Sequence, residues 1–270
     1  MRPRVWLAQI ILVGVLGAAA TATAASAVTA AVTAAPDLQP SEHWAQIERR
    51  IESGYFQQDV AGLQALDTTL AAGSAAAADG SDAKWRDYYG ALLAYRLALL
   101  AKNDETQAWR FTRQCVGRLN RALVLDTGSA EALALQSACL ALQSDLDPWR
   151  SPLAAPLSLA RIDKALKLAP DNPRVLLLGA VAASDRPKFF GGDNQQAFRL
   201  MQRSVSAFER QGAAPRGEPG WGAADAFTEL AQDYLARGDT LAARNVLERA
   251  LLLAPDFTQA RRLMAEIVSG

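Results

Sequence analysis

Between Ala224 and Pro255 the apolar residues fall into two blocks with helical spacing. Phe227, Leu230, Tyr234 and Leu235 recur at steps of three, four and one, which places them on one face of a helix. Gly238-Asp239 interrupts that helix, and Asp239 or Thr240 can cap the next. The second block, Leu241, Ala243, Val246, Leu247, Ala250 and Leu251, keeps the helical period and stops at Pro255. Asp256 can then cap a third helix running through Leu263 and Ile267. Two short helices with a tight turn form a hairpin. Such a hairpin cannot bury its apolar face alone, so neighbouring hairpins must stack on it.

The order Phe227-x-x-Leu230-Ala231-x-x-Tyr234, then Gly238, Ala243, Leu247, Ala250 and Pro255, resembles a tetratricopeptide repeat of about 34 residues. Ala231, Ala243 and Ala250 let two helix axes approach where a larger side chain would clash. Weaker copies lie upstream. Ala160–Pro170 is similar to Val246–Pro255, with Asn172 and Pro173 suited to cap and open the next helix. Leu119–Asp126 is a third copy, followed by Ser129 as a cap. Gly192-Asp193, Ala197, Met201 and Ser204 repeat the Gly238-Asp239, Ala243, Leu247, Ala250 series, with a loop at Pro187–Phe190 inserted before them. The resemblance implies an all-α fold, a right-handed α-solenoid of antiparallel helix hairpins. Its best repeat spans 224–257, and degenerate repeats occupy about 104–210. Residues 41–102 are expected to supply N-terminal capping helices and Thr258–Gly270 the closing helix. The whole of 41–270 reads as one domain. The stretch Asp145–Ser158, with Pro148, Pro152 and Pro156, reads as a long irregular connection.

Half of the 270 residues are hydrophobic, mostly Ala and Leu, which favours helix over strand. Basic and acidic residues number 28 each, so the net charge offers no strong field for nucleic acid or acidic lipid. The N-terminus departs from this average. Arg2 and Arg4 precede the apolar run Val5–Leu16, small residues follow, and no charge returns until Asp37. That is the plan of a secretory signal peptide over 1–27, with Ala25-Ser26-Ala27 one acceptable cleavage site among several. A disordered linker over 28–40 follows. The expected location is periplasmic or secreted in a bacterium. The alternative is an uncleaved anchor in the inner membrane, facing the periplasm.

Catalytic and metal chemistry has little to stand on. His43 is the single histidine, without Cys or carboxylate partners at ligand spacing, and reads as an exposed helix-start residue. G-x-S-x-G, H-E-x-x-H and phosphate-loop motifs are missing. Gly191-Gly192-Asp193 reads as a helix cap, because Asp193 puts a carboxylate where an anion would sit. No cofactor is expected. Cys115 and Cys139 fall on adjacent helices of the repeat plan and are either a disulfide, as export permits, or two small buried thiols. Trp85, Tyr88, Leu92, Tyr95 and Leu99 form a helical stripe that reads first as core. Phe189 and Phe190 either pack inward or project. Trp221 either packs over the next pair or stands exposed as an interaction hot spot.

The resemblance implies a binding role. Tetratricopeptide proteins take partners on the concave face, along the first helix of each pair. Carried onto this chain, the groove residues are Ala138, Arg174, Leu177, Val181, Asp225, Thr228 and Gln232. Such a groove suits an apolar segment better than an acidic tail, including the protein's own N-terminal helices. The expected function is a non-catalytic scaffold for an envelope protein partner, without a nucleic-acid role. The alternative is a solenoid handling a small molecule or lipid, similar to the repeat-built periplasmic component of some TRAP-type transporters.

Overall fold

The computed structural model describes residues 40–72, 80–101, 103–147, 149, 152–185, 193–214 and 217–269. The expected signal peptide and nearly all of the expected linker lie outside these residues, as does the loop at 187–190. Residues 38–270 make one compact unit. Among the described residues the chain is all helical. In chain order the helices are α1 (Pro40–Gln57), α2 (Val60–Ala72), α3 (Gly80–Leu100), α4 (Glu105–Leu125), α5 (Ala130–Leu146), α6 (Ala154–Leu168), α7 (Pro173–Asp185), α8 (Asn194–Gln211), α9 (Ala223–Ala236), α10 (Thr240–Leu253) and α11 (Thr258–Ser269).

Short polar side chains set where the helices begin. Asp104, Ser129, Asp193 and Asp239 each accept a bond from a backbone N–H in the first turn of the helix they precede. Asn172 does the same for α7, accepting from Arg174 N at 3.0 Å and Val175 N at 3.2 Å. Gly238 ends α9 at φ +79°, with Asp239 N bonded to the Tyr234 carbonyl and Gly238 N to that of Leu235. This is a Schellman ending, and it needs the left-handed conformation that glycine adopts freely. Asp256 does not cap α11. It accepts instead from Gln57 Nε2 of α1 at 3.3 Å.

The helices pack in consecutive pairs, α3 with α4, α5 with α6, α7 with α8 and α9 with α10, and α5 also rests on α3 and α7. Where the second helix of a pair meets the first, Ala122, Ala165 and Ala250 are essentially fully buried. Ser204 takes that position in α8, and its hydroxyl donates to the Pro173 carbonyl at 2.8 Å. Ser137 and Ser158 join α5 to α6 reciprocally, each hydroxyl donating to the other's carbonyl at 2.8 and 2.9 Å.

Two expectations need correction. Residues 41–102 do not act as a block of capping helices, because α3 is the first helix of a pair with α4. Every residue from Tyr88 to Ala98 of α3 is buried, which requires neighbours on all its sides. The irregular connection expected over Asp145–Ser158 is shorter, since α5 runs to Leu146 and α6 begins at Ala154.

Candidate functional site

The polar centre of the domain lies where α1 packs on α3 and meets the turn before α9. Arg96, midway along α3, is 2% exposed. Its Nε and Nη2 donate to the Glu52 carboxylate of α1 at 2.9 and 2.8 Å. Its Nη1 and Nη2 donate to Asp225, in the first turn of α9, at 2.8 and 2.7 Å. A planar guanidinium can serve two carboxylates in this way, where the point charge of a lysine could not. The Tyr55 ring lies 4.1 Å from the guanidinium carbon and the Trp221 ring 5.5 Å from it. One buried cation thus faces two carboxylates. Burial pushes Glu52 up to about 8, against the attraction of Arg96, and the Asp225 charge pushes the same way.

A second clasp lies one turn earlier on α1. Glu48 accepts from the backbone N–H of Gly220 at 2.9 and 3.0 Å and from the Tyr89 hydroxyl at 3.1 Å. Burial raises its pKa as well. Beside it, the Trp221 indole donates to the Tyr88 hydroxyl at 2.9 Å, and Tyr88 donates to Glu131 of α5 at 3.1 Å. Glu131 also takes Arg174 Nε at 2.8 Å and Asn172 Nδ2 at 2.7 Å. Gly222, at φ +99°, lets this corner close. A Cβ there would stand 3.2 Å from Phe208 Cζ and 3.3 Å from Leu177 Cδ2. At its far end α1 packs Phe56 on Phe257, with ring centres 4.4 Å apart.

These contacts change the status of the expected groove. Arg174, Leu177, Asp225 and Thr228 are buried. Arg174 is tied to Glu131, Asp225 to Arg96, and the Thr228 hydroxyl to the Ala224 carbonyl. They are not free for a partner: Arg174 and Leu177 lie against the turn at Gly222, and Asp225 is held by Arg96. Ala138, Val181 and Gln232 are half-buried. Val181 and Gln232 line a cleft of about 360 Å³ between α7, α8 and α9, together with Ser184, Met201, Glu229 and Asp233. Burial raises the Asp233 pKa, which Arg237 partly offsets. The sequence reading offered the protein's own N-terminal helices as an occupant of this face, but the charge network that binds α1 escaped it. The clue was a buried-type spacing on α3 with an arginine, Arg96, in its middle.

The repeat-signature residues Phe227, Leu230, Ala231, Ala243, Leu247 and Ala250 are in the core, while Tyr234 is half-buried with its ring edge-on to Phe198. Pro255 is exposed in the turn after α10. Cys115 of α4 and Cys139 of α5 are disulfide-bonded, with Cα atoms 6.3 Å apart. Tyr88, Leu92 and Tyr95 are core residues, with Trp85 and Leu99 packed at its edge. Trp221 is 3% exposed and therefore packs. His43 is exposed, edge-on to Trp44. Phe189 and Phe190 lie outside the described residues. Among the described residues there is no group of three His, Cys, Asp or Glu able to hold a metal, and no helix long and apolar enough to cross a membrane.

Neither a family model nor a curated protein matches the sequence. Among solved structures the chain is similar in fold to the HusA haemophore from Porphyromonas gingivalis. The TM-score is 0.58 at 22% sequence identity, over 75% of this chain and 96% of that one. At that identity the likeness is one of fold.

Proposed function

We propose that this chain is an exported, non-catalytic binding protein, built as a tetratricopeptide-type solenoid, which takes a protein partner on the inner face of its first helices. The observation that carries this reading is the seat of α1. Two carboxylates on one helix are bound by Tyr89 and Arg96 of α3 and by the turn before α9, and Arg96 is itself held by Asp225 of α9. A face that holds one helix through charge-assisted bonds is suited to hold another helical segment. The part left open is the cleft at Val181 and Gln232. Export follows from the basic and apolar N-terminus. The test is a photo-crosslinking residue at Gln232, compared with one at exposed Glu266, in the bacterial envelope. A discrete adduct formed only from position 232 is expected. Identical patterns from both positions would remove the reading.

A second reading, handling of a small molecule, is favoured by the fold likeness to a haemophore together with the α7–α9 cleft. The cleft is at the small end of the range for ligand sites. Haemin titrated into the protein should then shift its absorbance and raise its Tm, both effects being lost in Val181→Trp. An unaltered spectrum would leave the protein-partner reading alone.

A further inference from the structure

The zero net charge conceals a basic bias of the second helices, while the first helices are mixed: α3 holds three basic residues against two carboxylates and α7 one against one. The second helices of the pairs, α4, α6, α8 and α10, each hold a single carboxylate against two to four basic residues. The first helices α5 and α9 hold no Lys or Arg, against two and three carboxylates. The basic residues recur in register. Arg121, Lys164, Arg203 and Arg249 each stand one residue before the small side chain that packs inward. Others are exposed and form no ion pair among the described residues, namely Arg113 on α4, Lys167 on α6, and Arg199 and Arg210 on α8. The last two flank a cleft of about 520 Å³ that Arg203, Gln202 and Ser206 also line.

Exposed apolar side chains join the unpaired cations on α4 and α6, and stand also on α10. Among the described residues, every large one except Val60 and Val268 belongs to α4, α6 or α10, or to the turn leading into α6. Leu125, Leu168 and Leu253 occupy one register position, three residues after the buried alanine of their helix, and are 49%, 50% and 58% exposed. Trp149, in the turn before α6, is 93% exposed. A protein surface has no internal reason to keep leucines in water at the same place in three repeats.

We propose that the row of second helices is a docking surface for a bilayer containing anionic lipid, with the cations on phosphate headgroups and the leucines and Trp149 in the interfacial zone. The combination of unpaired Lys/Arg with exposed Leu and Trp on one row of helices is what such an interface uses. Nucleic acid shares the phosphate chemistry. Its binders gain little from aliphatic side chains and use aromatic stacking or hydrogen bonds to bases instead. The surface is separate from the inner face that α1 occupies, so it stands or falls independently of the partner reading above.

The experiment is vesicle co-sedimentation of the full chain at low salt. Vesicles of phosphatidylcholine alone are compared with vesicles in which a third of the lipid is phosphatidylglycerol. The apolar N-terminal stretch is common to all proteins tested, so differences between them report the helix row. The parent should bind the anionic vesicles and not the neutral ones, and release them as salt rises. Each cation near an anionic surface is worth about a fivefold change in partition. The variant Arg113→Gln, Lys167→Gln, Arg199→Gln, Arg210→Gln should therefore lose more than roughly 100-fold, with an unchanged melting curve because all four side chains are exposed. The variant Leu125→Ser, Leu168→Ser, Leu253→Ser should lose about tenfold, since each removes apolar area from the interface. Equal binding by the parent to both vesicle types would overturn the proposal. So would parent-like binding by the charge variant or by the leucine variant. Tighter binding of duplex DNA than of anionic vesicles at the same salt, lost in the charge variant, would assign the row to nucleic acid and overturn the lipid surface.

Discussion

The inner crossing of α1 and the outer row of second helices use the same residue types to opposite ends. On the inside Arg96 and Arg174 are 2% and 1% exposed, and every carboxylate near them is spoken for. On the outside Arg113, Lys167, Arg199 and Arg210 face water without ion-pair partners among the described residues. An arginine in a dry site is costly unless it is bonded; Arg96 bonds through all three of its nitrogens, while Arg174 leaves Nη1 without a partner. An exposed one contributes little to folding and is free to meet something else. The comparison separates what holds the domain together from what it can offer.

The largest expected effect is at the inner crossing. Arg96→Ala leaves Glu52 and Asp225 facing each other in a buried site, and should cost about 3–5 kcal/mol, or roughly 10 °C in Tm. A thermal melt within 2 °C of the parent would show that α1 is not held by this clasp. Next is the covalent link between the first two helix pairs. Cys115 and Cys139 are 24 residues apart in sequence, and closing a loop of that size is worth about 3 kcal/mol. The double variant Cys115→Ala, Cys139→Ala should fall by that amount in denaturant melts, and dithiothreitol should lower the parent to the same level without altering the variant.

The third effect is on pH dependence. Glu52 sits above its ordinary range in the folded protein, at about 8 against 4.5. The folded state therefore binds the proton more tightly than the unfolded chain does. Its contribution to stability is complete below the ordinary value and is lost as pH rises through about 8. Glu48 shifts in the same direction. The parent should lose roughly 5 °C in Tm between pH 6 and pH 9. Glu52→Gln, which removes the excess negative charge, should flatten that slope. A parent Tm constant over this interval would contradict the excess-charge account. A smaller change is expected for Ser204→Ala, which removes the bond to Pro173 at a position where the other pairs carry alanine. About 1 kcal/mol is expected, read from a urea midpoint. The outer row should respond least: Arg199→Gln and Arg210→Gln together should stay within about 0.5 kcal/mol of the parent in the same assay.

Much of the local structure was readable along the chain. The hairpin at Phe227–Pro255 could be drawn from spacing alone, because a 3.6-residue period and a glycine followed by a cap leave few alternatives. The caps at Ser129, Asn172, Asp193 and Asp239 were readable for the same reason, since each bonds within its own first turn. The cap assigned to Asp256 failed because α11 begins at Thr258 with Phe257 in the cap position, one residue later than expected. The role of α3 was readable in part: the stripe Trp85, Tyr88, Leu92, Tyr95 and Leu99 marked a core face, but a single stripe does not say that every residue from Tyr88 to Ala98 is buried. Arg174, Leu177, Asp225 and Thr228, which the tetratricopeptide resemblance put on the groove, are buried, because what covers a helix face is set by segments far away in the chain.

The sequence by itself determined that the chain is helical, where most of its helices start and stop, and which small residues let pairs pack closely. These are local properties, fixed by neighbours within a few residues. Tertiary structure alone decided that α1 packs on α3 and meets the turn before α9, that Arg96 joins Glu52 to an aspartate 129 residues further along, and that Arg113, Lys167, Arg199 and Arg210 stay exposed without an ion pair among the described residues. Charge totals and periodicity carry no information about distance in space. Only folding brings Glu52, Arg96 and Asp225 into one dry site, where burial and proximity give them their effect.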